Sequence, residues 1–249
     1  MLTTRTVLSC FARTWLVGAA MTTRGMQHLG ILYALNPGLT ALFQEPQQLA
    51  EARQRYLAHA NTHPFMAPLY IGLLLALERQ IACGHMAPQG MTMLARTTAT
   101  TLSALGDSFF SGTLLVFWAL STSLLMLSGM TGTAALWALF LFALLLAFRV
   151  WTFFLGLRQG LAALQWVRQM DLINWGDRLK LINALLLALL LWCMNAHAAP
   201  VFWWGNFFWG LLCLCCGSLL VSRAHVPRLL LATTVLCALY LADATPILP

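Results

Sequence analysis

The sequence predicts an all-α, polytopic integral membrane protein, and three observations carry that expectation. Apolar residues make up 60% of the 249-residue chain and charged residues only 8%, whereas a soluble domain needs about 25% charged residues to cover its surface. Two intervals, Ser108 to Phe148 and Leu181 to Ser222, contain no Asp, Glu, Lys or Arg. As single helices each would reach about 60 Å, twice the hydrocarbon thickness of a bilayer. The bases outnumber the acids, 14 to 7, yet they are spread along the chain rather than gathered on the stripe a nucleic-acid surface requires. A cytosolic enzyme, a disordered chain and a nucleic-acid module are excluded together.

The elements follow in chain order. No cleavable leader is expected, because Arg13 interrupts the only apolar stretch at the N-terminus. Val7, Leu8, Phe11 and Trp15 fall on one helical face and Arg5, Ser9 and Arg13 on another. That pattern suits a helix lying in the membrane interface or a short helix packed on a partner. Leu29 to Phe43 is apolar but is expected to break at Asn36-Pro37-Gly38. Pro64 to Leu77, closed by Glu78 and Arg79, would span only about 21 Å as a helix, too little for a crossing. It reads as a re-entrant or buried segment, and such elements at membrane depth often line a substrate path.

Residues 1–107 therefore form an N-terminal region of interfacial and re-entrant helices. Residues 108–148 form a transmembrane hairpin that turns at Ser128-Gly129-Met130-Thr131-Gly132-Thr133. Residues 149–180, with Arg149, Arg158, Arg168, Arg178 and Lys180 against Asp171 and Asp177, form a basic linker, cytoplasmic by the positive-inside rule. Residues 181–249 hold a second hairpin, with its turn near 195–206 anchored by Phe202, Trp203 and Trp204, and a last span from Leu229 to Ala242. The count is about five crossings.

Few residues can carry chemistry. Pro64 forces His63 out of helical geometry, so Asn61, Thr62 and His63 share a turn. Three neighbouring donor-acceptor side chains suit a sugar; equally, Asn61 and Thr62 suit the capping of the helix that follows. Asp107, in Gly106-Asp107-Ser108, is either an N-cap of the hairpin or a polar group at membrane depth. His59 and His63 are four apart, but no Glu accompanies them and Pro64 disrupts the helix, so no metal site is expected. Cys193, Cys213, Cys215, Cys216 and Cys237 lie in apolar runs with no zinc or redox spacing, and no disulfide is expected. No P-loop and no nucleophile elbow is present.

Three blocks resemble the IID membrane component of mannose-family sugar phosphotransferase system (PTS) permeases. They are Met26-Gln27-His28-Leu29-Gly30 through Tyr33-Ala34-Leu35 and Pro37, then Asn61-Thr62-His63-Pro64-Phe65-Met66-Ala67 through Leu75-Ala76-Leu77-Glu78, and Gly106-Asp107-Ser108-Phe109-Phe110 with Gly112-Thr113-Leu114. The resemblance covers roughly residues 5–195. It implies a bacterial inner-membrane, multi-pass subunit that forms with a IIC membrane subunit the path of a hexose. The hexose would be phosphorylated by a soluble IIB or IIAB phosphocarrier, and this chain would hold no catalytic residue and no cofactor. Asn61, Thr62 and His63 would then contact or support the hexose. Asp107 would fix the hairpin or meet the IIC subunit, and Gln27 would assist from the preceding element. Two other readings remain open: an assembly subunit that does not transport, and a membrane-embedded metal-dependent enzyme using His59, His63 and Asp107.

Overall fold

The computed structural model describes residues 2–198, with side chains through Met194. The 195–206 turn, the aromatic anchor, the last span and the cysteines beyond Cys193 lie outside the described residues. The chain divides into two units, residues 1–184 and 185–249. Of the second, only the end of one helix is described.

The regular elements among the described residues are all helical, and the two short backbone pairings that Met26 makes with Thr22 and Ala60 are bridges rather than strands. Helix α1 (Thr4–Arg13) starts where the Thr3 hydroxyl accepts from the Thr6 N–H, the usual duty of an N-cap threonine. Its buried side is Cys10 with Val7 and Phe11 beside it. Leu8 and Trp15, expected on the same face, are exposed. A 3₁₀ turn (Thr14–Ala19) leads to a loop and then to α2 (His28–Leu42).

Helix α2 does not break at Asn36-Pro37-Gly38; Pro37 lies inside it. Proline removes the N–H that would bond the Tyr33 carbonyl. That carbonyl instead accepts from the Arg13 guanidinium at 3.1 Å, and the same guanidinium stacks 4.4 Å over the Tyr33 ring. A bond from another helix replaces the missing one, so the helix continues.

Helix α3 (Pro46–Gln54) is short and polar, and α4 (Ala67–Ala82) contains the apolar stub. Every residue of α4 from Ala67 to Glu78 is buried. A helix apolar all round is covered on all sides, and here the cover is protein. At its end Glu78 is fully buried. Both of its oxygens bind Arg55, and the Tyr56 hydroxyl donates to Oε1 at 2.6 Å. That carboxylate tethers the end of α3 to α4.

Next come α5 (Met91–Gly106), a π-helical segment (Asp107–Leu114) and α6 (Leu115–Leu127), continuous as one 37-residue stretch. The chain reverses at Ser128–Met130, with Gly129 at φ +80°, a left-handed value that glycine adopts without strain. Helix α7 (Thr131–Gln159) returns. These two stretches, of mean hydropathy 1.7 and 2.2, are long and apolar enough to cross a membrane. They leave Leu136, Leu139, Phe140 and Leu144 more than half exposed, which suits lipid rather than water. The helices overrun the expected hairpin, since α5 starts well before residue 108 and α7 passes residue 148 without a break.

Helix α7 packs along α4 at backbone range. A Cβ on Gly72 would collide with the Phe153 carbonyl, and one on Gly156 with the Leu69 carbonyl. Two glycines facing each other let the helix axes approach as small residues do in membrane bundles. Helix α8 (Ala162–Gln169) and α9 (Leu172–Ala198) follow.

Candidate functional site

The site is the non-helical turn of residues 61–65, between α3 and α4, and the packing above fixes it from three sides. The first side is α2 and the loop before it. Gly25 and Gln27 exchange backbone hydrogen bonds with Ala60, and Met26 is held at φ +54° to do so. A bulky residue in that region stores strain. The Gln27 side-chain oxygen then accepts the Thr62 N–H at 3.0 Å, in a buried setting. Gln27 and Thr62 are 6% and 2% exposed, and the Thr62 hydroxyl has no partner.

The second side is the π-helical segment. Such segments are rare, and they often occur at functional sites because the wider turn re-aims side chains. Here Phe110 stacks on the His63 imidazole, with ring centroids 5.4 Å apart and planes 14° apart. The Ser111 hydroxyl lies 3.0 Å from His63 Nε2. The Phe65 N–H donates to His63 Nδ1 at 3.3 Å, which assigns the proton to Nε2 and makes Ser111 the acceptor of that bond. Burial lowers the His63 pKa, against a smaller opposing pull from Asp107. The imidazole is therefore neutral. Gly106 makes this contact feasible, since any Cβ there would overlap the His63 side chain. From α9, Asn183 donates 2.9 Å to the Thr113 carbonyl, bracing the far end of the segment.

The third side is α7. Arg149, expected to flank the hairpin at the lipid headgroups, is only 4% exposed. It donates 2.6 Å to the Pro64 carbonyl and 3.4 Å to the Thr14 hydroxyl, with its plane 4.0 Å over the Trp15 ring. The expected flanking role fails because the guanidinium has protein partners on the inside of the fold. The apolar run Val150 to Leu157 beyond it was the available signal, because a flanking base would end the helix's apolar stretch and this one does not.

Asp107 is also placed differently from its N-cap reading: it continues α5 without interruption as the first π-helical residue. It is exposed, and it accepts from the Ser103 hydroxyl at 3.4 Å, which in turn accepts from Asn61 Nδ2 at 3.4 Å. The structure thus brings together all five residues singled out in the sequence. Gln27, Thr62 and His63 are buried, Asn61 is half-buried, and Asp107 and Ser111 are exposed. Ser103, Gly106, Phe110, Ser111 and Arg149 were not legible as members, because only the fold brings them to the turn. His59 lines a small cavity with Arg55, Tyr56 and Arg96 rather than the turn. Among the described residues no cluster of His, Cys, Asp and Glu could hold a metal ion.

Comparison with known proteins bears on this arrangement. The family model described as the PTS system mannose/fructose/sorbose family IID component matches residues 1–201. The mannose-specific EIID component of Escherichia coli (strain K12) is 30% identical over 142 residues, 56% of this chain and 50% of that one. The fructose permease IID component of Bacillus subtilis (strain 168) is 27% identical over 161 residues, 64% of this chain and 57% of that one. The chain thus spans about half the length of the curated relatives it matches. A solved membrane-protein structure is similar at a TM-score of 0.65 and 26% identity, covering 76% of this chain and 70% of that one. The cryo-EM structure of the mannose transporter ManYZ with microcin E492 matches at a TM-score of 0.54 and 22% identity, covering 100% and 99% of the two chains, and shows a shared fold. With a match that runs through all three sides of the turn, the chain belongs to the IID components of the mannose/fructose/sorbose family of the PTS.

Proposed function

We propose that this chain is the IID subunit of a mannose-family permease in the bacterial inner membrane. It works with a IIC membrane subunit, and the pair carries a hexose that a soluble IIB or IIAB protein phosphorylates during transport. Asn61 contacts the sugar, His63 supports it through the exposed Ser111 hydroxyl, Gln27 and Thr62 hold the turn from behind, and Asp107 faces the sugar or the IIC subunit across the open side.

One observation carries this reading. The turn is fixed on three sides, yet its two polar links, Asn61–Ser103–Asp107 and His63–Ser111, end on the exposed residues Asp107 and Ser111. A turn that served only as a cap would need no polar links running outward from it to exposed side chains. A sugar held by several hydroxyls requires amide, imidazole and carboxylate groups fixed in advance, because preorganisation removes ordering cost from binding. Both imidazole nitrogens are already bonded within the protein, so His63 acts on the sugar by way of Ser111, whose hydroxyl accepts from Nε2 and keeps its own proton to donate.

The test is uptake of radiolabelled hexoses by whole cells. Asn61→Ala and His63→Ala are each expected to raise the half-saturation concentration about 5- to 10-fold, the worth of one hydrogen bond to a buried group. Membrane abundance and co-purification of the IIC subunit should stay at wild-type level. Unchanged uptake in both variants would reduce the turn to a cap and leave the chain an assembly subunit.

A further inference from the structure

We infer that Arg149 is a positioning residue for the sugar, acting through the Pro64 carbonyl to set where Asn61 and His63 present their polar atoms. The inference rests on the reading that this turn binds sugar, and it adds a residue in α7 that makes no contact with the sugar.

The need for Arg149 begins in the sequence. A carbonyl at the start of a helix ordinarily accepts from the N–H four residues on. For Pro64 that residue is Pro68, which has no N–H. The Pro64 oxygen is thus left open at the junction between the turn and α4. The Arg149 guanidinium closes it at 2.6 Å. The backbone that follows His63 is then tied to α7 rather than to its own helix.

The placement of the cation is otherwise hard to account for. A buried charge normally has a counter-ion, since desolvation is costly. The ion pairs among the described residues are Arg55–Glu78 and Asp177–Lys180, and neither includes Arg149. Its Nε has no hydrogen-bond partner. Its other contacts, the Thr14 hydroxyl and the Trp15 ring, hold the guanidinium plane rather than neutralise it. Stacking and a planar fork of donors are properties of arginine that lysine lacks. A residue that must hold one carbonyl in a fixed direction calls for this geometry.

Two fixed ends follow. Gln27 holds the Thr62 N–H and Arg149 holds the Pro64 carbonyl, and His63 lies between them. Releasing one end tilts the imidazole and the Asn61 amide without removing either.

The experiment measures half-saturation concentration and maximal rate of hexose uptake for Arg149→Lys, Arg149→Gln and Trp15→Leu beside Asn61→Ala and His63→Ala, each normalised to transporter in the membrane. Arg149→Gln is expected to raise the half-saturation concentration about tenfold with the maximal rate within about twofold, as displaced rather than deleted ligand groups would. Arg149→Lys should recover part of that loss, and Trp15→Leu should move in the same direction by less. Should Arg149→Gln fail to accumulate, the lysine and Trp15 variants decide. If Asn61→Ala and His63→Ala weaken half-saturation while the Arg149 and Trp15 variants change only the amount of protein, Arg149 is structural and the inference is overturned. If none of the five shifts half-saturation, the sugar-site reading falls and takes the inference with it.

Discussion

Pro37 and Pro68 each deprive a carbonyl of its donor four residues back, and an arginine from another part of the chain fills each gap. Tyr33 receives Arg13, and Pro64 receives Arg149. Pro37 was read in the sequence as a helix break, and Pro68 was not singled out. Which base would fill each gap was not legible, because Arg13 is 20 residues and Arg149 is 85 residues away along the chain. The same limit governed His63. Its turn was readable from Pro64, whereas its stacking on Phe110 and its bond to Ser111 depend on Gly106 letting the π-helical segment close on it. The environment of His63 has a consequence in pH. Burial lowers its pKa in the folded protein below the ordinary value of 6.5. Above that value both folded and unfolded forms are neutral, so stability does not depend on this residue's proton. As the pH falls through 6.5 the unfolded chain takes the proton first, and stability declines until the folded imidazole also titrates. Protonation of Nδ1 would also break the bond from the Phe65 N–H. Thermal unfolding of the detergent-purified protein between about pH 7.5 and 5.5 should show a downward slope. That slope is expected to be shallower in His63→Gln, and equal slopes would show that the imidazole titrates normally in the folded state.

Among the elements, α4 illustrates what length and composition can decide. The stub was recognisably too short to cross lipid, and burial of Ala67 through Glu78 agrees with the buried alternative for such a segment. Its closest neighbour was not legible, since Gly72 and Gly156 are separated by the hairpin and each looks like an unremarkable glycine in an apolar run. Only the fold shows that their missing side chains let α4 and α7 approach, bringing Arg149 level with Pro64. This contact predicts the sign of a substitution that helix propensity alone would get wrong. Alanine is favoured over glycine in a helix interior by about 1 kcal/mol. A Cβ at Gly156, however, would overlap the Leu69 carbonyl and crowd the Leu73 N–H at 2.8 Å. Backbone atoms inside two packed helices cannot move aside as a flexible side chain can. Gly156→Ala should therefore destabilise the protein by about 1–3 kcal/mol, the usual cost of overpacking. It should also weaken uptake, because α7 carries Arg149 away from the turn. Gly132→Ala, where a Cβ meets nothing within 4 Å, is the control, with unfolding temperature as the measurement.

Residues 1–184 are organised by the two ends of the long helical hairpin, and the distribution of charge predicts a side of the membrane for each end. Glycine, polarity and length placed the turn between the two crossings at residues 128–133, and the chain reverses at Ser128–Met130. The helices run longer than their charge-free intervals because burial lets Arg149 sit inside α7 and an open polar face lets Asp107 continue α5. Charge patterning assumes that a base marks a boundary, and that assumption holds only for bases that face lipid headgroups or water. Of the exposed bases, which also include Arg5, Arg24, Arg79 and Arg96, four, Arg158, Arg168, Arg178 and Lys180, lie at or after the far end of α7. The end of α4 lies there too, since a Cβ added at Gly160 would come within 4.0 Å of both Ala76 and Gln80 on that helix, and the exposed Cys83 caps it. A helix of 29 residues separates this basic end from Ser128 by about 43 Å, more than the hydrocarbon thickness. The positive-inside rule then predicts Cys83 in the cytoplasm and Ser128 outside. In a background with every other cysteine replaced, a membrane-impermeant maleimide should label Ser128→Cys in spheroplasts and leave Cys83 unlabelled, with the pattern reversed in everted vesicles. Labelling in the opposite sense would invert the orientation. Labelling of both positions from one side would mean that the apolar hairpin does not cross the bilayer, and the turn at residues 61–65 would then have no route to connect.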